Sequence, residues 1–102
     1  MNSGDLQAIL AHYSDKAEVL TAQGVLKGKA GVEAFFRQAF AMLPGAQITV
    51  KQTVAGENSL LVWWTADSSG GRIDDGIDTL VVEDGLFILQ APTFTFQPQP
   101  QE

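Results

Sequence analysis

The second half of the chain alternates between polar and apolar residues over four consecutive segments, and this pattern constrains the fold more than any other. The segments are residues 48–55, 60–67, 73–83 and 87–96. Such period-two alternation is typical of β-strands. The links between them contain GEN, SSGG and EDG, which favour tight turns. Because parallel neighbours need much longer connections, the sequence predicts a meander of four antiparallel strands.

The first half of the chain carries two helical patterns. Apolar residues at helical spacing predict a short helix over residues 4–13, with its buried stripe formed by Leu6, Ile9, Leu10 and Tyr13. A longer helix is predicted over residues 28–43, where one continuous apolar face contains Val32, Phe35, Phe36, Ala39, Phe40 and Leu43. Between them, residues 17–21 and 25–27 are interpreted as short strands.

The composition indicates one small globular domain. The chain has 102 residues, of which 45% are hydrophobic, so we predict a single domain over residues 1–96 and a disordered tail over 97–102. With no cysteine, disulfides and thiolate ligands are excluded. The net charge of −6 argues against binding to nucleic acids or anionic membranes. We find no signal-peptide pattern, and we expect a soluble, cytoplasmic protein.

The segment SLLVWW places large apolar side chains on both faces of its strand. Leu61 and Trp63 point to one face, and Leu60, Val62 and Trp64 point to the other. The helices can cover only one face of the sheet. An apolar face left uncovered usually marks an interface, so we predict a homodimer that associates through the sheet.

Several stretches resemble the SnoaL-like branch of the nuclear transport factor 2-like proteins. They are HYSDKAEV, GVLKGKAGVEAFF, TLVVEDGLFILQ and TFTF, and the resemblance covers residues 6–96. It implies an α+β fold in which a curved antiparallel sheet of four long strands, with short N-terminal strands, wraps round two helices as a cone-shaped barrel with an internal pocket. Members of that superfamily include ketosteroid isomerase, limonene epoxide hydrolase, polyketide cyclases and non-enzymatic binding domains, so the fold does not settle the function.

By this resemblance, two positions of the isomerase site are kept, while its general base, its oxyanion tyrosine and a supporting tyrosine are missing. Tyr13 and Asp78 match the positions of a tyrosine and of a protonated aspartic acid. Thr21 stands where the general-base aspartate would be, and threonine cannot act as a base at neutral pH. Phe36 replaces a supporting tyrosine and lacks its hydroxyl. The resemblance therefore argues against steroid isomerisation.

Two other branches of the superfamily supply alternatives. In the cyclases, an acidic residue on a late strand acts as an acid/base with a histidine from a neighbouring strand. Asp78 matches that acid, but the single histidine, His12, falls on the predicted first helix. The epoxide hydrolase needs an Asp–Arg–Asp arrangement, and the two arginines, Arg37 and Arg72, fall on an outer helix face and in a turn. The cyclase branch is therefore the closer match.

Asp78 is the candidate catalytic residue. In a strand it shares a face with Leu80 and Val82. A carboxylate among apolar side chains loses hydration, which raises its pKa and suits it to acid/base work or to hydrogen bonding with a ligand. The alternative is a structural carboxylate that is hydrogen-bonded to Tyr13 or to a backbone N–H, or one at a hydrated strand end.

Six residues are candidates for ligand binding, and each has a structural alternative. They are Tyr13, Phe36, Phe40, Trp64, Gln90 and Phe94. By the resemblance, the face of the last strand that carries Gln90 and Phe94 lines the pocket. One of Trp63 and Trp64 would line the pocket and the other the dimer contact, and core packing is the alternative for both. Phe36 and Phe40 would form the pocket wall, which in this fold is also the core surface.

We predict no metal and no cofactor. Asp74 and Asp75 are interpreted as residues of a solvated turn or strand start, and DSSGGRIDDG lacks the alternating ligands of a calcium loop. GVLKGKA is one residue short of a phosphate-binding loop and has Ala30 where a hydroxyl must reach magnesium.

These observations favour a dimeric domain that binds a small apolar or aromatic molecule. The first alternative is a cyclase- or isomerase-type enzyme with Asp78 as a lone acid/base. The second is an association module with a vestigial pocket. A cavity that holds Asp78, Gln90 and a tryptophan would favour either of the first two functions over the third.

Overall fold

The computed structural model describes residues 6–99, which form two helices and seven strands. In chain order these are α1 (Leu6–Leu10), β1 (Tyr13–Thr21), β2 (Gly24–Lys27), α2 (Gly28–Met42), β3 (Gln47–Ala55), β4 (Ser59–Ser68), β5 (Gly71–Glu83), β6 (Leu86–Thr93) and β7 (Gln97–Pro98).

The strands form one curved sheet in the order β2-β1-β6-β5-β4-β3, with β7 beside β5. Strands β3 to β6 are the predicted antiparallel meander. β1 runs parallel to β6, so the sheet as a whole is mixed. It stays open, because β3 has no partner on its outer edge within the described chain. The predicted cone-shaped α+β fold is confirmed.

The predicted first helix is wrong at its C-terminal end. α1 ends at Leu10, and Tyr13 is the first residue of β1. His12 lies in the turn between them, where its carbonyl accepts a hydrogen bond from the Phe87 amide at 2.9 Å. Tyr13 pairs with Phe87 of β6, and a residue in a helix could not form this strand pairing. Residues 4 and 5 of the predicted helix lie outside the described residues.

The longer helix is confirmed, and it packs directly against the N-terminal strands. Val32 is fully buried, and the other residues of the predicted apolar face are buried or half-buried. Gly31 permits the close approach, because a Cβ there would lie 2.6 Å from the carbonyl carbon of Leu26 in β2. On the outer side, Arg37 Nε donates to Glu33 Oε2 at 2.8 Å.

The hydrophobic core is divided into two clusters. The first contains buried side chains of α1, β1 and α2, with Phe36 and Phe40 packed on it. The second is centred on Leu43, Ala66 and Ile73, at the other end of α2. This division matters for function because it leaves space between the clusters on the inner, concave face of the sheet.

The C-terminal segment folds back along the start of β5. The last predicted strand ends at Thr93, and Gln97 and Pro98 of the predicted disordered tail instead form β7.

Asp74 and Asp75 are exposed near the start of β5, and both form hydrogen bonds with this C-terminal segment. The Asp74 carboxylate accepts from Gln97 Nε2 at 3.0 Å, and that of Asp75 accepts from the Thr95 amide at 2.8 Å, which lowers the pKa of Asp75. Residues 100–102 lie outside the described residues.

The other side of the sheet, called the outer face here, carries a row of half-buried apolar side chains. Its strand positions alternate with those of the inner face, and they include Leu61, Trp63, Ile77, Val81, Leu89 and Ala91. Neither helix covers this face, because α2 packs against β1 and β2 from the inner side.

Across residues 6–99, neither helix combines the length and the apolar character that crossing a bilayer would require.

Candidate functional site

A cavity of about 200 Å³ lies between α2 and the inner face of the sheet. It occupies the gap between the two core clusters and draws its walls from both. The lining residues are Phe35, Phe36, Ala39, Phe40, Met42, Leu43, Ala46, Ile48, Val50, Val62, Trp64, Ile73, Asp78, Gln90 and Phe94. Apart from the indole N–H of Trp64, only Asp78 and Gln90 of this set have polar side chains.

These three polar groups form one hydrogen-bonded unit across three neighbouring strands. Trp64 Nε1 on β4 donates to Asp78 Oδ1 on β5 at 3.3 Å. Gln90 Nε2 on β6 donates to Asp78 Oδ2 at 3.0 Å. Each carboxylate oxygen therefore has an N–H donor, and the carboxylate is held in place from both sides.

Tyr13 extends the unit behind the cavity wall. Its hydroxyl donates to Gln90 Oε1 in a short hydrogen bond. Both side chains are nearly inaccessible, at 5% exposure for Tyr13 and 4% for Gln90. Burial, and secondarily the charge of Asp78, raises the pKa of Tyr13 well above its ordinary value. The hydroxyl thus stays protonated and can fix the orientation of the Gln90 amide.

Strand register explains why these side chains meet. Asp78 pairs with Val62 on one side and with Pro92 on the other, while Gln90 pairs with Leu80, two residues further along β5. Residues directly opposite in antiparallel strands share a face. The alternation that separates apolar from polar positions in β4 to β6 therefore also brings Asp78 and Gln90 to the inner face.

Gly76 determines where the indole of Trp64 lies. Trp64 pairs with Gly76 across β4 and β5, and a Cβ on Gly76 would lie 2.3 Å from Trp64 Cε2 and 2.4 Å from Cδ2. The indole therefore lies flat on the bare backbone of β5, with its N–H within reach of Asp78. Any larger residue at position 76 would occupy the same space.

The electrostatics of the site are set by one carboxyl group. Burial raises the pKa of Asp78 above its ordinary value, and the hydrogen bonds from Trp64 and Gln90 act against that rise. None of the described residues that line the cavity is a lysine, arginine or histidine. Asp78 is thus the single acidic side chain among the described residues that line the cavity.

The structure brings most of the predicted site residues together. Asp78 and five of the six ligand-binding candidates line the cavity: Phe36, Phe40, Trp64, Gln90 and Phe94. Tyr13 does not line it; its hydroxyl donates to Gln90, and its ring packs edge-on against that of Phe36. Of the two tryptophans, Trp64 faces the cavity and Trp63 the outer face. Their roles in ligand binding and catalysis stay predictions.

Sequence reasoning missed the contribution of Gly76 and of the smaller wall residues. An isolated glycine within a strand pattern is a known signal of close approach by another group, and Gly76 in DDGID carries that signal. Ala39, on the cavity side of α2, was identified only as part of the helix's apolar face. Ala39 also lines the cavity, and it is among the smallest side chains in the wall.

The residues that would matter for the alternative reactions lie elsewhere. The hydroxyl of Thr21 donates to the Gly24 carbonyl at 3.0 Å, in the turn between β1 and β2. Arg37 pairs with Glu33 on the outer side of α2, and Arg72 is exposed on β5. None of these side chains lines the cavity, so the epoxide hydrolase arrangement is not formed there.

The sequence model of the SnoaL-like domain matches residues 1–90. The chain belongs to the SnoaL-like family. No curated protein sequence matches it. This membership confirms the predicted superfamily branch, whose members include ligand-binding proteins as well as isomerases and cyclases.

Solved structures of the same fold support the assignment. A SnoaL-like protein of unknown function from Burkholderia thailandensis E264 is 25% identical, with a TM-score of 0.75, over 92% of this chain and 84% of that one. An NTF2-like protein of unknown function from Cytophaga hutchinsonii ATCC 33406 is 23% identical, with a TM-score of 0.72, over 92% and 88%. TerC, co-crystallized with polyporic acid, is 16% identical, with a TM-score of 0.76, over 92% and 82%. These similarities show a shared fold.

Proposed function

We propose that this SnoaL-like domain binds a small apolar or aromatic molecule in the cavity between α2 and the inner face of the sheet. The observation that carries the proposal is the cavity itself, with apolar walls and one polar cluster at Asp78. Ligand sites typically combine an apolar lining with a few fixed polar groups. A vestigial pocket would instead be filled by side chains.

The size of the cavity limits the ligand. An apolar cavity of about 150 Å³ holds one benzene molecule, so a cavity of about 200 Å³ has room for one ring and a short substituent. Four aromatic side chains offer ring faces and edges to such a ligand: Phe36, Phe40, Trp64 and Phe94. The structural neighbour TerC was co-crystallized with a small molecule, polyporic acid, which also supports the proposal.

Filling the cavity should abolish binding. Ala39→Phe places a ring in the space opposite the sheet, whereas Ala34→Phe adds the same ring on the exposed side of the same helix. A ligand present at about 100 times its Kd raises the free energy of unfolding by about 2.7 kcal/mol. We expect excess toluene to raise the Tm of the wild type and of Ala34→Phe, and to leave Ala39→Phe unchanged. An equal rise in all three proteins would exclude the cavity as the site.

The second candidate function is an enzyme that uses Asp78 as a lone acid/base. The observation in its favour is that burial raises the pKa of a carboxyl group that faces a cavity. Asp78→Asn distinguishes the two functions once a substrate is known. For an enzyme, the substitution stops turnover while the ligand still binds, whereas for a binding domain no turnover exists to be lost.

We also propose a homodimer that associates through the outer face. The support is the row of apolar side chains around Trp63, which neither helix covers.

Trp63→Glu places a charge in the middle of this row and should yield monomers in size-exclusion chromatography with light scattering. Val25→Glu, at an exposed apolar position on β2, is the matched control and should stay dimeric. A wild-type monomer at micromolar concentration would contradict the proposal.

Three further statements stay predictions from the sequence alone. They are a cytoplasmic location, the absence of nucleic-acid and membrane partners, and function without a cofactor.

A further inference from the structure

The chemistry around Asp78 indicates which polar group the ligand carries. The cavity has one acidic side chain and no lysine, arginine or histidine among the described residues that line it. Asp78 is half-buried, and a carboxylate withdrawn from water without a cationic partner is costly to a fold. A ligand that supplied the missing positive charge would relieve that cost as it bound.

The hydrogen bonds indicate that Asp78 acts as an acceptor. The indole N–H of Trp64 can only donate, and it points at Oδ1. The Gln90 amide lies between Tyr13 and Asp78. Its Oε1 accepts a hydrogen bond from the Tyr13 hydroxyl, and its NH₂ group faces Oδ2. Two donors on the two oxygens stabilise the charged carboxylate and oppose the effect of burial, which raises the pKa of Asp78.

The carboxylate keeps lone pairs for the cavity. Each carboxylate oxygen can accept about two hydrogen bonds, and the protein supplies one to each. A ligand that meets these oxygens must therefore bring a hydrogen on nitrogen or oxygen. A carbonyl group, which only accepts, would face the lone pairs of Asp78 unfavourably.

The surrounding rings add a preference for positive charge. Trp64 and Phe94 lie with ring centroids 6.1 Å apart, and Phe36 and Phe40 lie 6.2 Å apart. All four side chains line the same cavity as Asp78. The faces of aromatic rings attract cations, most strongly when water is excluded.

We propose that the ligand is a small aromatic or aliphatic amine, bound as its cation with an N–H group donating to Asp78. This inference rests on the proposed binding function and adds the chemical class of the ligand. The net charge of −6 further favours the approach of cations over that of anions.

The test is a titration of the wild-type protein at neutral pH with three probes of similar size: phenethylamine, phenethyl alcohol and acetophenone. They carry, in that order, a charged donor, a neutral donor and an acceptor. A charge-assisted hydrogen bond should make phenethylamine bind roughly ten- to hundredfold more tightly than acetophenone, with phenethyl alcohol between them.

Asp78→Asn should reduce the preference for phenethylamine to within about threefold, because the amide keeps the shape and loses the charge. Asp67→Asn, at an exposed aspartate on the neighbouring strand β4, is the matched control and should keep the full preference. If Asp78→Asn proves unstable, the wild-type titration still tests the chemical class of the ligand.

Two results of these titrations would contradict different proposals: one the ligand class, the other the binding function. If acetophenone binds as tightly as phenethylamine or more tightly, the ligand class is wrong and the binding function stands; Asp78 is then the protonated donor and the Gln90 amide is turned over. If none of the three probes binds, and toluene does not bind either, the proposed function itself fails.

Discussion

Gly76→Ala should lower the free energy of unfolding by about 1–3 kcal/mol, because a single added methyl group collides with the indole of Trp64. The Cβ would lie 2.3 to 2.7 Å from three indole atoms, and the indole cannot retreat without leaving Asp78. The same displacement should weaken ligand binding, since Trp64 forms part of the cavity wall. Urea denaturation gives the change in stability, and tryptophan fluorescence reports the movement of the ring.

Gly56→Ala is the matched control for this substitution. Its Cβ would lie 2.6 Å from the hydroxyl of Ser59, which can rotate away, and at ordinary contact distance from the other Ser59 atoms, so we expect a much smaller loss. In a Trp64→Leu background, Gly76→Ala should cost clearly less than in the wild type, because the colliding ring is gone. An equal loss in both backgrounds would show that the glycine acts through the backbone and not through Trp64.

Gln90→Leu should lower the free energy of unfolding by about 1–3 kcal/mol at neutral pH, because it leaves buried polar groups without partners. The Tyr13 hydroxyl loses its acceptor, and Asp78 loses one of its two donors. Adding Tyr13→Phe should recover part of the loss, since replacing both members of a buried hydrogen bond with apolar groups costs little. No recovery in the double variant would mean that Tyr13 does not depend on Gln90.

The loss in Gln90→Leu should also depend on pH. The folded-state pKa of Asp78 is already raised, so the folded protein binds this proton more tightly than the unfolded chain. That stabilisation is fully present below the unfolded pKa and is lost as pH rises through the folded pKa. Removing the Gln90 donor raises the folded pKa further. The destabilisation measured by urea should therefore be larger at neutral pH than in mild acid, and the opposite trend would contradict a charged Asp78.

The meander and the long helix could be predicted because local patterns determine them. The alternation of polar and apolar residues in β4 and β5 indicates strands, and the uninterrupted apolar face in α2 indicates a helix. Alternation also placed Asp78 and Trp64 on defined faces of their strands. The family resemblance then indicated which face of the last strand lines the pocket, and five of the six ligand-binding candidates do line the cavity with Asp78.

Contacts between distant parts of the chain could not be predicted. Tyr13 and Gln90 are 77 residues apart in sequence, and their contact depends on the parallel pairing of β1 with β6. Leu6, Leu10 and Tyr13 fit a helix as a local pattern, yet Tyr13 lies in a strand because β6 provides its partner. Likewise, Gln97 pairs with Arg72 only because the chain turns back after Thr93.

The central claim is that a small molecule binds in the cavity beside Asp78, and the two tryptophans allow a direct test. Trp64 Nε1 donates to Asp78 at the cavity, whereas Trp63 lies on the outer face. Nitrogen–proton correlation spectra resolve the two indole N–H groups during a titration with phenethylamine or toluene. We predict that the Trp64 signal moves and saturates while the Trp63 signal stays in place. A shift confined to Trp63, or no saturable shift at Trp64 with either probe, would contradict the account.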